Sequence, residues 1–252
     1  MTFEDISKAI TTIGNGLSTN NLANFWKDIT RKDANIYWPN RVLREGWTGQ
    51  DAIGKGKRAS FEFITLPHGQ TTAFPSTRFP SDNLIENAHA VQSLSIPIAT
   101  KLLGRKDENW LAQVGSSLAV IETHFAVFSS LDVAEITFLQ TGVKLHRGEI
   151  DIAYKLVDGD DETWLLAVEA KGRAENIHEH QLLRAAQALD AFRKNIDGLT
   201  TEISGVIPFA VKVVGDSLIY TVEFDPISDS TTDLELAAEG VIELKPPVRG
   251  IE

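Results

Sequence analysis

The chain is predicted to fold as an α/β (α+β) protein, with a mixed β-sheet flanked by helices and, before it, a mainly helical and irregular accessory region. Three observations predict this. Leu111, Val114, Leu118, Ile121 and Phe125 recur at three- and four-residue steps and mark a helix over Asn109 to Phe128. Three strand-like segments follow, Glu135 to Val143, Gly148 to Ala153 and Leu165 to Gly172. A second helical stripe, Leu182, Ala185, Ala186, Leu189 and Phe192, then covers His178 to Lys194, before two more strands, Gly205 to Val214 and Ser217 to Phe224, around the turn Gly215-Asp216.

The second and third strands form a hairpin whose register can be worked out from positions alone. Facing residues in an antiparallel pair have position numbers with a constant sum. Asp158-Gly159-Asp160-Asp161-Glu162 is the turn-forming segment between the two apolar runs, so a hairpin centred on Asp160 sets Asp151 opposite Glu169. Side chains alternate along a strand, so Glu169 and Lys171 share one face and Glu149 shares a face with Asp151. The hairpin is thus expected to gather three carboxylates and one ammonium. The run Trp164 to Val168 is almost continuously apolar, the pattern of a strand covered on both faces, where charged residues are rarely tolerated without a role.

Those residue types suit hydrolysis of a phosphodiester. The anionic phosphate must be neutralised, water made nucleophilic and the leaving oxygen stabilised, and a divalent metal serves all three. Mg²⁺ is held by one or two carboxylates plus waters and phosphate oxygens. Asp151 and Glu169 supply the carboxylates, the backbone carbonyl of Ala170 can add a ligand, and Mn²⁺ is the expected substitute metal. Lys171 can orient the attacking water, or release a proton if a nearby metal lowers its pKa.

An Asp on one strand and a Glu-x-Lys on the next, Asp151 with Glu169-Ala170-Lys171, resembles the core of the PD-(D/E)xK nuclease superfamily, which includes most Type II restriction endonucleases. The likeness runs roughly over residues 108 to 222 and departs at Ile150, where the family often has Pro. It implies a restriction-endonuclease-like mixed sheet flanked by helices, with catalysis by Asp151, Glu169 and Lys171. It also makes Glu122, on the helix before the sheet, a candidate metal or water ligand. Gln181, on the helix after it, becomes a candidate that reaches back to the site. Ala185 stands where one exonuclease-like branch has Tyr, which argues against that branch. His178 and His180 are more simply surface polar residues than phosphate or metal contacts.

Composition limits the remaining possibilities. Cysteine is absent, which excludes disulfides and thiolate zinc sites. No apolar run reaches the length of a membrane span, and Met1-Thr2-Phe3-Glu4-Asp5 lacks the basic start of a signal peptide, so no membrane association and a cytoplasmic location are expected. A net charge of -11 is unusual for a DNA binder, but it is unevenly spread. Residues 1–105 carry 12 Lys and Arg against 9 Asp and Glu, whereas residues 106–252 carry 12 against 26. Three regions are therefore expected: an accessory DNA-recognition region over 1–105, a nuclease core over 106–225, and an acidic tail over 226–252.

Residues 4 to 30 read as helical, with Ile6, Ile10, Ile13 and Leu17 in one stripe broken around Gly14-Asn15-Gly16. Asn35 to Pro80 reads as irregular, with Arg41, Arg44, Lys55, Lys57, Arg58 and Arg78 as candidate DNA contacts and Gly49 to Arg58 as the favoured stretch. Gly49-Gln50-Asp51-Ala52-Ile53-Gly54-Lys55 begins like a phosphate-binding P-loop, but Gly56 stands where Ser or Thr must hold Mg²⁺, and no ATPase is expected. The expectation is a Mg²⁺-dependent endonuclease that cuts double-stranded DNA at a specific sequence. Cutting both strands favours a homodimer, and a companion DNA methyltransferase would be a separate chain. The competing expectations are a structure-selective repair or recombination nuclease and an inactive DNA-binding module.

Overall fold

The structure, a computed structural model, describes residues 2–13, 19, 22, 38–51, 61–66, 68, 71–74, 78–104, 108–145, 148–194 and 202–251. The chain divides into two compact units, Met1–Thr77 and Arg78–Glu252.

The first unit contains helices α1 (Phe3–Ile13) and α2 (Asn40–Arg44) and strands β1 (Trp47–Asp51) and β2 (Phe61–Thr65), which pair antiparallel. Ile6 and Ile10, four apart on one face of α1, join Trp38, Phe61, Ala73 and Phe74 in a small core. The expected helix over residues 4–30 is seen as far as Ile13, and its remainder lies mostly outside the described residues. The stretch expected to be irregular carries a hairpin instead. Gly49 sits within β1 and not in a loop after a strand, so a P-loop has no place there.

The second unit is built on a seven-stranded mixed sheet in the order β3-β9-β8-β7-β6-β5-β4. Its strands are β3 (His89–Gln92), β4 (Val133–Leu145), β5 (Gly148–Asp158), β6 (Thr163–Lys171), β7 (Ile203–Gly215), β8 (Leu218–Phe224) and β9 (Leu236–Lys245). The pairs β6–β7 and β3–β9 are parallel and the other four antiparallel. Helices α3 (Asp82–Glu86), α4 (Ile98–Leu103), α5 (Glu108–Ser117), α6 (Val120–Val127) and α7 (Glu179–Arg193) accompany it.

Each face of the sheet has its own core. Trp110, Leu111 and Val114 of α5 and Val120, Ile121 and Phe125 of α6 pack with Ile152, Tyr154 and Leu156 of β5 and Leu166, Val168 and Ala170 of β6. On the other face Leu182, Ala185, Ala186 and Leu189 of α7 meet Leu165, Ala167, Val206 and Ala210. Burying each of these Leu side chains is worth ~1.5–3 kcal/mol. With both faces covered, β6 is buried nearly throughout, as its apolar run predicts.

The structure corrects the sequence reading in three places. The helix expected over Asn109 to Phe128 breaks into α5 and α6 at Ala119, which adopts a left-handed φ of 51°. Residues 226–252 are not a tail, because β9 runs between β3 and β8 in the interior of the sheet. Its acidic residues are used there: Glu239 accepts the Tyr220 hydroxyl proton, and Glu243 pairs with Lys245 at 2.7 Å. Residues 78–105 belong with the second unit, since β3 pairs with β9. Beyond β9, Val248 and Ile251 are buried, and the Arg249 carbonyl accepts the Trp110 indole N–H at 2.9 Å, which holds the start of α5.

Candidate active site

The β5–β6 turn sets the geometry of everything that follows. Asp158 Oδ1 accepts the backbone N–H groups of Asp160 at 3.0 Å and Glu162 at 2.9 Å, and its Oδ2 accepts the Trp164 indole N–H at 2.8 Å. One side chain thus closes the turn and fixes the midpoint at which the strands reverse. The resulting ladder pairs Val157 with Thr163 through to Ile152 with Val168, the register that the midpoint arithmetic predicts. Just past its end Asp151 Oδ2 accepts the Ala170 N–H at 2.8 Å. The carboxylate is thereby tied to the middle residue of Glu169-Ala170-Lys171.

Burial raises the Asp151 pKa, and the nearby charges of Glu108 and Glu149 raise it further, while the Ala170 N–H and the Lys171 charge pull the other way. Glu169 is only 4% exposed, and its Oε1 accepts from both the Lys171 ammonium and the Gln181 side-chain amide, the latter at 2.5 Å. Burial alone would lower the Lys171 pKa, but the adjoining Glu169 carboxylate, together with Asp151 and Glu175, outweighs it and leaves the pKa raised. In this state Lys171 is an ammonium ion-paired to Glu169. The proton release considered from the sequence would need that pairing to change.

Gln181 reaches the site because α7 starts eight residues after Lys171 and its first turn faces the strand end. Between them, Gly172 N–H donates to Glu175 Oε2 and Glu175 N–H to the Gly172 carbonyl, each at 3.1 Å. Lys212 of β7 donates to the carbonyls of Gly172 and Arg173 at 3.1 Å each and to that of Glu175. The polar turn after Lys171 is expected from the sequence, whereas Lys212 beneath it is a feature that the sequence reading missed.

The remaining candidates are distributed differently. Glu122 is not brought to the Asp151–Glu169–Lys171 group. It faces Tyr154, where burial first and the Glu122 charge second push the tyrosine hydroxyl up to about 12. Burial likewise raises the Glu122 pKa. The acid near Asp151 from the preceding helices is Glu108, in the first turn of α5. Glu149 is exposed, and its charge acts on Asp151. His178 and His180 lie with ring centroids 5.5 Å apart at the start of α7.

Of the expected DNA contacts, Arg78 is engaged within the protein, ion-paired to Glu179 at 2.6 Å with its guanidinium 5.3 Å from the Phe224 ring centroid. Arg41 is exposed and pairs with Glu45 at 3.0 Å, and Arg44 Nε donates to the Asn40 carbonyl at 3.3 Å. Lys55, Lys57 and Arg58 lie outside the described residues.

Among the described residues no three His, Cys, Asp or Glu side chains are gathered so as to hold a metal by themselves. Asp151, Glu169 and the Ala170 carbonyl nevertheless offer only hard oxygen donors, and two carboxylates completed by water and substrate oxygens are a set that suits Mg²⁺. Among the described residues no helix is long and apolar enough to cross a membrane. No protein-family model, curated protein or solved structure matches the chain.

Proposed function

We propose that this chain is a Mg²⁺-dependent endodeoxyribonuclease that hydrolyses phosphodiester bonds of double-stranded DNA at a specific sequence, in the manner of the PD-(D/E)xK enzymes it resembles. One observation carries the reading: at the point where the β5–β6 ladder ends, Asp151 is tied to the Ala170 N–H while Glu169, on one side of Ala170, accepts from Lys171, on the other, and from Gln181. A mixed sheet flanked by helices, with the Asp and the Glu-x-Lys on neighbouring strands, supports it as well.

In this reading Asp151 and Glu169 hold the metal, with the Ala170 carbonyl as a further donor. Mg²⁺, when bound, polarises the phosphate and lowers the pKa of water. Gln181 fixes the orientation of the Glu169 carboxylate. Lys171, whose side chain is 12% exposed, presents its ammonium to the attacking water and to the anionic phosphate. Glu108, whose charge acts on Asp151, is a further acid at the site.

A plasmid of diverse sequence, incubated with Mg²⁺, should yield discrete bands. Lys171→Ala should abolish cutting while DNA binding persists. Undiminished cutting by that variant contradicts the assignment. A smear in place of bands points to a nuclease that selects structure over sequence.

A further inference from the structure

Lys212 is 2% exposed and lies directly across the parallel β6–β7 ladder from Lys171. Burying an ammonium is costly, and desolvation is the largest influence on this one, lowering its pKa to about 8. A hydrocarbon side chain of similar length would fill the same space without that cost. What an ammonium adds is three donors. Lys212 directs them at three carbonyls of one short segment, Gly172, Arg173 and Glu175.

That segment joins the Glu-x-Lys strand to α7. Its exit drives Ile177, 2% exposed, into the core beneath α7, and one turn later Gln181 meets Glu169 at 2.5 Å. We infer that Lys212 is a positioning residue: by gathering the carbonyls of Gly172 to Glu175 it clamps the turn that holds Gln181 against Glu169. The relevance of this clamp to DNA cleavage rests on the function proposed above, whereas the clamp itself does not.

The chain contains no cysteine, which permits a clean test. K212C, alkylated with 2-bromoethylamine in denaturant and refolded, regains an ammonium of nearly the same reach, and K212M does not. In K212M, amide hydrogen exchange over residues 172–178 should quicken by roughly tenfold or more while exchange in β6 and β8 is unchanged. The Gln181 side-chain amide signal should move towards that of a solvent-exposed Gln, and alkylated K212C should restore both. The DNA-cleavage kcat should fall with KM unchanged. In the unsubstituted protein, which needs no variant to fold, the Lys212 ammonium should give a slowly exchanging ¹⁵N signal. An ammonium that exchanges like an exposed lysine overturns the inference, as do unchanged turn amides and an unchanged Gln181 signal in K212M. Released turn amides in a protein that cleaves no DNA uphold the clamp and overturn only the nuclease reading.

Discussion

Two of the ionic clusters within the second unit are built from similar parts. In one, His124 of α6 sits between two residues of β8, with Nδ1 2.8 Å from Thr221 Oγ1 and Nε2 3.1 Å from Glu223 Oε2. The Thr221 hydroxyl also lies 3.2 Å from the Gly240 carbonyl, to which it can donate. Side-chain exposure is 0% and 6%, and Phe125, Phe128 and Phe209 enclose the ring. In the other cluster, two donors converge on a single oxygen of Glu169, Lys171 retains some exposure, and Asp151 lies beyond the end of a ladder. The first is sealed in the interior with its partners in place, so it stabilises the fold. The second sits where strands end and a turn begins, and under the proposed function a substrate exchanges partners with it. Burial and ion pairing alone do not separate chemistry from structure; position relative to the strand ends does.

The contrast can be broken by removing one carboxylate from each cluster. Asp151→Asn keeps an acceptor for the Ala170 N–H. It should reduce plasmid cleavage by about a thousandfold or more, several kcal/mol of transition-state stabilisation, while a urea titration shifts by about 1 kcal/mol or less. Glu223→Ala should do the reverse, costing ~3–5 kcal/mol of stability because a buried partner is orphaned, with cleavage per folded molecule unchanged. Equal effects of the two variants on cleavage would erase the distinction.

A smaller effect comes from Gly240, whose carbonyl receives the Thr221 hydroxyl. A Cβ built there would lie 2.3 Å from the Phe128 ring, next to His124. Gly240→Ala should cost ~1–3 kcal/mol in denaturant titrations and leave the Asp151 end of the sheet unaffected. A pH-dependent effect concerns Lys212. Its pKa falls from 10.5 unfolded to about 8 folded, chiefly through burial, with the Lys171 charge adding to the shift and Glu175 opposing it. Between those pH values the unfolded chain binds a proton that the folded chain does not, so this group contributes increasing stability as pH rises from about 8. K212M should flatten that part of the stability–pH curve, and an unaltered curve would contradict the assignment.

Much of the site was legible because its determinants are local. The Asp158 turn names the midpoint of the hairpin, alternation names the face, and the apolar stripe of α7 brings Gln181 round. What the sequence concealed depends on distant parts of the chain. The strand β9 reads as an acidic tail because Glu235, Glu239 and Glu243 flank the apolar Val241, Ile242 and Leu244, and only pairing with β8 and β3 reveals it. The break at Ala119 has no Gly or Asn to announce its positive φ, and Glu108 falls just before the helix expected over Asn109 to Phe128. Lys212 sits in Val211-Lys212-Val213-Val214, where its partners, the carbonyls of residues 172–175, cannot be read from its own neighbourhood.

The most direct test of the central claim is hydrolysis of a plasmid by the full chain, measured side by side with Glu169→Gln, with Mg²⁺ and with the metal chelated. The unsubstituted chain should cut only when Mg²⁺ is supplied, and Glu169→Gln should not cut in either condition. Cleavage that persists in Glu169→Gln, or that ignores the metal, would contradict the assignment of the Asp151–Glu169–Lys171 group as a metal-dependent phosphodiesterase site.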